Sequence, residues 1–147
     1  MSQPVLVPVE LARHWLLVEA GSRESRALAE ALDRLCGRLR EILSLLVGRA
    51  GFAALLARAL HLAQATYPNL TAITLDETGD SCLRGTTDFA AAQSPEEVEA
   101  GLTDILAQFI GLLVTFIGEA LTIRLLGEFW PEAEREARHD TGTEAAQ

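Results

Sequence analysis

The residues of this chain that could do chemistry are few and lie far apart in the sequence. The three histidines, His14, His61 and His139, do not occur in an HExxH or HxxE grouping, the spacings that put zinc ligands on one helix face. Cys36 and Cys82 do not form a CxxC pair. In a leucine-rich helix a free cysteine behaves as a small apolar side chain, which is the role we predict for Cys36. We therefore predict no metal site.

Three acidic residues, Asp76, Glu77 and Asp80, resemble part of a calcium-binding loop. The series is too short, and the bidentate glutamate that ends such a loop is absent. The chain also has no GxSxG nucleophile motif and no glycine-rich loop that would cradle a phosphate. We therefore predict no catalytic residue, no cofactor and no enzymatic activity.

Glu119 is the most unusual polar residue, because it continues an apolar heptad series between Phe116 and Ile123. An unpaired buried carboxylate is strongly unfavourable, so the position allows two interpretations. Either Glu119 is buried and paired, or the drift of a straight helix from the 3.5-residue repeat moves it to the flank. In the first case its candidate partners are Arg49, Arg58, His61, or Arg124 of a second subunit.

A long helix must position Glu119, and the sequence predicts that it runs without interruption from Ser94 to Pro131. Ser94, Pro95 and Glu97 form a capping-box start, and Trp130-Pro131 ends the pattern. Between these points residues recur at alternating spacings of four and three, and all but Glu119 are apolar: Val98, Leu102, Ile105, Phe109, Leu112, Phe116, Glu119, Ile123, Leu126 and Trp130. The nearly uncharged part, 105–118, is shorter than the roughly 20 residues of a membrane span. We therefore favour a buried core helix over a transmembrane segment.

A second line of residues on this helix is small or polar: Asp104, Gln108, Gly111, Thr115, Gly118 and Thr122. Each glycine costs about 1 kcal/mol against alanine in a helix, so glycines are poor choices for a face that merely contacts water. We therefore predict that another helix approaches closely near Gly111 and Gly118.

The rest of the chain predicts three further helices and an insertion. Helices are expected at 9–20, from Ser22 or Ser25 to Val47 with Gly48 as the stop, and at 51–66. The second carries a heptad series typical of near-parallel helix packing: Leu28, Leu32, Leu35, Leu39, Ile42 and Leu46. The segment 69–93 is expected to form a short hairpin or an ordered loop. The predicted fold is an all-α bundle of four main helices in one domain, 1–131, followed by an acidic, partly disordered tail, 132–147.

Charge is unevenly distributed along the chain. Residues 1–66 carry eight arginines and six acids, whereas residues 67–147 carry four arginines and fifteen acids, for a net charge of −9. An acidic domain repels phosphate backbones, so a nucleic-acid partner is not expected. The N-terminus lacks the basic and apolar regions of a signal peptide, and we expect a cytoplasmic location.

The apolar excess and the lack of catalytic motifs favour a non-enzymatic interaction domain, an adaptor or regulatory subunit that oligomerises through its long helix. Its partner would be another protein or a second copy of the chain. The predicted interface residues are Phe109, Gly111, Phe116, Gly118, Glu119, Ile123 and Trp130. The alternative is a small-molecule sensor whose cavity is lined by Phe109, Phe116 and Trp130, with Glu119 or His61 as the polar anchor. Membrane-active and enzymatic roles are the weaker hypotheses.

Overall fold

The first helix follows the sequence prediction closely. The computed structural model of the chain describes residues 7–129, and within them α1 spans Pro8–Ala20. It ends at Gly21, which adopts a left-handed conformation and donates its backbone N–H to the carbonyl of Leu17. The predicted helix end at Trp130-Pro131 and the predicted tail, 132–147, lie outside the described residues.

The second helix, α2, spans Ser25–Thr66 and is interrupted at Gly48, as the sequence predicts. Arg40, before the interruption, and Leu56, after it, line the same cavity. In a straight helix two residues that far apart would be separated by about 24 Å, at 1.5 Å per residue. The chain therefore folds back at Gly48, and the two parts of α2 supply the second and third helices of the predicted bundle.

The segment between the main helices forms a hairpin, together with a short helix that the sequence analysis missed. A 3₁₀ turn, Pro68–Ala72, leads into β1, Thr74–Leu75, which pairs antiparallel with β2, Leu83–Arg84. The missed helix, α3, spans Thr86–Ala92. These elements pack against the bundle, because an added Cβ at Gly101 would lie 3.0 Å from Leu70 and 3.4 Å from Phe89.

The predicted long helix is broken, which corrects the sequence interpretation. α4 spans Pro95–Ile117 and begins with the predicted capping box at Ser94, whereas α5 spans Glu119–Phe129. Gly118 separates them with φ 93° and ψ 156°, a conformation that is almost exclusive to glycine. The heptad register of α4 therefore does not pass through Glu119. The predicted position of Glu119 in a continuous apolar series is wrong.

The core confirms the predicted all-α bundle. The first four residues of the α2 heptad series are buried, and α4 packs against both α1 and α2. The largest fully buried side chains come from α1, α2, the 3₁₀ turn with the residue that follows it, and α4: Leu16, Leu28, Leu32, Leu35, Leu39, Leu43, Leu70, Ile73, Leu102, Ile105, Leu106 and Phe109. Burial declines toward Gly48, where Ile42 is half-buried and Leu46 is exposed. The bundle is therefore closed along most of its length and open at this end.

Candidate functional site

Two helix breaks lie at the same end of the bundle. Gly48 interrupts α2 with φ 81° and ψ 164°, close to the angles of Gly118 between α4 and α5. Residues that flank both breaks line one groove, so the breaks are close in space. Conformations of this kind cost other residues about 1–3 kcal/mol and persist only where the surrounding structure requires them. We call this part of the molecule the glycine end.

The glycine end carries an apolar groove of about 520 Å³, here named the tip groove. Five of its lining residues come from α2 and three from α4 and α5: Leu46, Val47, Gly51, Ala54 and Leu55, and Phe116, Ile117 and Leu121. Leu45, the residue before Leu46 in α2, is 86% exposed. Phe116 is 62% exposed, although it is the largest side chain of the groove. The tip groove therefore exposes large apolar side chains from α2, α4 and α5 to water.

The predicted interface residues of α4 divide between the core and this groove. Phe109 is buried and stacks at a tilt on Phe52, with ring centroids 5.5 Å apart, so it is not available to a partner in this conformation. Phe116, two turns later, lines the tip groove. The predicted close helix contact at Gly111 and Gly118 is wrong within the chain, because an added Cβ at either glycine meets nothing within 4 Å.

The predicted interface residues beyond Gly118 lie on or after α5. Glu119 is the first residue of α5 and is half-buried, a position where a carboxylate interacts favourably with the helix dipole. Of its candidate partners within the chain, Arg49, Arg58 and His61 are all exposed. Ile123 is half-buried, and Trp130 lies outside the described residues. The sensor cavity predicted around Phe109 and Phe116 is not found among the described residues, since these two rings belong to different environments.

A second cavity, here named the loop pocket, lies between the folded-back α2 and the loop that joins β1 to β2. Its volume is about 390 Å³. The loop is held by Asp76, whose carboxylate accepts hydrogen bonds from the backbone N–H and the hydroxyl of both Thr78 and Ser81, at 2.6–3.1 Å. These bonds, first those from Thr78, hold the pKa of Asp76 well below its ordinary value. Asp76, Thr78 and Ser81 therefore form a hydrogen-bonded turn that stiffens one wall of the loop pocket.

The two cysteines lie near this pocket, and burial disfavours the thiolate form of each. Cys82 lines the loop pocket, whereas Cys36 is buried in α2, and both thiols are free. Burial raises the pKa of both thiols, and for Cys82 the nearby Arg40 partly opposes that rise. No group of three or more His, Cys, Asp and Glu side chains that could hold a metal occurs in residues 7–129.

Two helices have the length and composition of membrane spans. They are Ser25–Thr66 and Pro95–Ile117, and the most apolar 18-residue windows are 22% and 50% buried in the fold. The first of these helices folds back at Gly48, and the core helix of a soluble protein meets the same criteria. The low burial of the α2 window reflects the open glycine end.

Sequence reasoning missed several residues of these two sites. Leu45 and Leu121 were not singled out, although apolar residues next to a glycine that stops a helix are a usable signal for an exposed end. Arg40 and Arg49 were not connected with the 69–93 segment, because only the fold-back at Gly48 brings them together.

Comparison with known proteins identifies no relative of this chain, since no family model, no curated protein and no solved structure matches it.

Proposed function

We propose that this protein is a non-enzymatic protein–protein interaction domain, an adaptor or regulatory subunit, that associates with a second copy through the tip groove. The observation that carries the proposal is the uncovered apolar surface formed by Leu46, Phe116 and Leu121, which all line the tip groove. Large exposed apolar patches mark interfaces, because leaving them in water costs about 25 cal/mol per Å².

A second copy suits this surface because the surface contains both a protrusion and a recess. Phe116 and Leu46 line the groove and are 62% and 52% exposed, while Val47, Leu55 and Ile117 line its half-buried wall. In a two-fold symmetric dimer the same patch occurs on both subunits, so a protruding side chain of each copy enters the groove of the other. Burial of two such sets of side chains supplies the apolar core that homodimer interfaces have.

The residues proposed for the interface therefore differ from those expected from the sequence. Phe116, Glu119 and Ile123 are retained, with Phe116 in the groove and the other two on the adjoining α5. Phe109 is not part of the proposed interface, because it fills the core. Leu46 is added to the interface, because it is 52% exposed.

Light scattering of the purified protein tests this proposal. The wild type is expected to give at micromolar concentration a mass at least twice the 15.9 kDa of one chain. Leu46→Asp should return the mass of one chain, because it places a charge in the groove. Val18→Asp is the matched control, since Val18 is 51% exposed on α1 and should leave the mass unchanged. A wild type that scatters as a single chain contradicts the proposal.

Liposome flotation separates this proposal from membrane association through the same apolar end. We expect the protein to remain at the bottom of the gradient with both neutral and anionic vesicles. If the wild type floats and Leu46→Asp does not, the tip groove binds lipid, and the interaction-domain proposal fails.

A further inference from the structure

We propose that the loop pocket binds one small anionic amphiphile, a molecule with a carboxylate or phosphate head and a short apolar body. The pocket lies on a different face of α2 from the tip groove, because Arg49, Ala53 and Leu56 line the pocket and Gly51, Ala54 and Leu55 line the groove. This inference does not depend on self-association.

The inner wall of the pocket suits the apolar body of such a ligand. Phe52 and Leu56 are buried side chains of α2 whose accessible atoms face the cavity, and Leu75 and Cys82 close the opposite side. A volume of about 390 Å³ falls within the range of small-molecule sites, which are mostly apolar with a few polar groups that orient the ligand.

Two arginines supply the polar groups. Arg49 is exposed and makes no hydrogen bond or ion pair with any side chain that the structure describes. Arg40 donates one hydrogen bond from Nη1 to the carbonyl oxygen of Gly79, at 3.2 Å, which fixes its guanidinium at the mouth of the pocket. A guanidinium has five N–H donors and binds carboxylate or phosphate oxygens in pairs, so most of the donors are available to an anion.

The carboxylates at the mouth limit which anions bind. Asp76 and Glu77 line the pocket together with the two arginines, so the four groups give no net charge. Both oxygens of Asp76 already accept hydrogen bonds from the loop, and Glu77 is exposed. Long-range attraction is therefore weak, and binding depends on direct contact with the guanidinium groups and on the apolar wall. An inorganic anion without an apolar body should therefore bind more weakly than an amphiphile with the same head.

Isothermal titration calorimetry with four probes tests the inference. Decanoate and decyl phosphate carry both parts of the proposed ligand, decanol lacks the charged head, and inorganic phosphate lacks the body. Below micelle formation we expect one molecule of decanoate or decyl phosphate to bind per chain, and the stronger of the two identifies the head group. Decanol and phosphate should bind at least tenfold more weakly. Bound probe should also slow the alkylation of Cys82 by N-ethylmaleimide, measured by peptide mass spectrometry.

Two arginine variants locate the binding. Arg49→Met keeps the apolar stem and removes the head-group contact, so affinity should fall about tenfold or more. Arg58→Met is the control, because Arg58 is exposed on α2 and does not line the pocket. Equal affinity for decanol and decanoate, an unchanged affinity in Arg49→Met, or the absence of binding by both amphiphiles would overturn the inference. A dimer that fails to bind these probes leaves the proposed interaction function intact.

Discussion

Replacing Phe116 by serine measures how much the tip groove contributes to association. Its exposed 62% corresponds to about 120 Å² of a phenylalanine that buries about 200 Å². At 25 cal/mol per Å², covering this area in a dimer stabilises each copy by about 3 kcal/mol. Covering Phe116 stabilises the dimer once for each of the two copies. If half of this combined stabilisation offsets the entropy lost in ordering the interface, Phe116→Ser weakens the dimer by about 3 kcal/mol. The dissociation constant should therefore rise more than a hundredfold.

Sedimentation velocity over a dilution series is the assay for Phe116→Ser. Because most of the side chain is already in water, folding of the single chain should weaken by only about 1–2 kcal/mol, and its helical circular dichroism should be unchanged. Val18→Ser is the control, since Val18 is similarly exposed on α1. If Phe116→Ser and the wild type dissociate at the same concentration, the groove is not the interface.

The remaining predictions concern the fold that holds the two sites. Gly85→Ala should lower the free energy of unfolding in urea by about 2 kcal/mol more than Gly79→Ala, because both glycines have positive φ but only at Gly85 would a Cβ lie 2.5 Å from a backbone oxygen. Asp76→Asn should lower the melting temperature at pH 7. This difference should shrink as the pH falls below the ordinary pKa of 3.8, since the stabilisation from a lowered pKa is complete only above the pKa of the unfolded carboxyl and is lost progressively as the pH falls toward the pKa of the folded one. Leu35→Asp should prevent folding, whereas Arg38→Ala should cost less than about 1 kcal/mol, because Leu35 is fully buried and Arg38 forms a partly exposed ion pair with α1.

Each of these three predictions has a clear contrary result. Equal urea midpoints for the two glycine variants would mean that the backbone near Gly85 relaxes freely. A melting-temperature difference for Asp76→Asn that stays constant to pH 2 would remove the carboxylate as the holder of the loop. A folded Leu35→Asp would show that the heptad series does not form the core.

The parts of the fold that local chemistry specifies were predictable from the sequence. The stop at Gly21 and the break at Gly48 each depend on one glycine, and the capping box depends on Ser94 and Glu97, three residues apart. The heptad series of α2 predicted its buried face as far as Leu39, because the helix face that carries the periodic apolar residues is the face that packs into the core.

The break at Gly118 was not predictable, because its apolar neighbours favour helix on both sides and glycine within a helix costs only about 1 kcal/mol. Tertiary packing decides there: α5 turns so that Thr122 and Leu126 become buried. The loop pocket was missed for a related reason. Arg40 and Asp76 are distant in sequence, and only the fold-back of α2 makes them neighbours. Glu119 was singled out by a register that does not extend across the break.

Hydrogen–deuterium exchange at two protein concentrations tests the central claim, that the tip groove is the interface, most directly. The first amides after each helix break have no acceptor within their own helix and exchange readily in a single chain. At high concentration we predict slower exchange in 45–55 and 116–124, and unchanged exchange in α1 and in the β1–β2 loop. Slowed exchange elsewhere with an unchanged glycine end, or no dependence on concentration at all, would contradict the account.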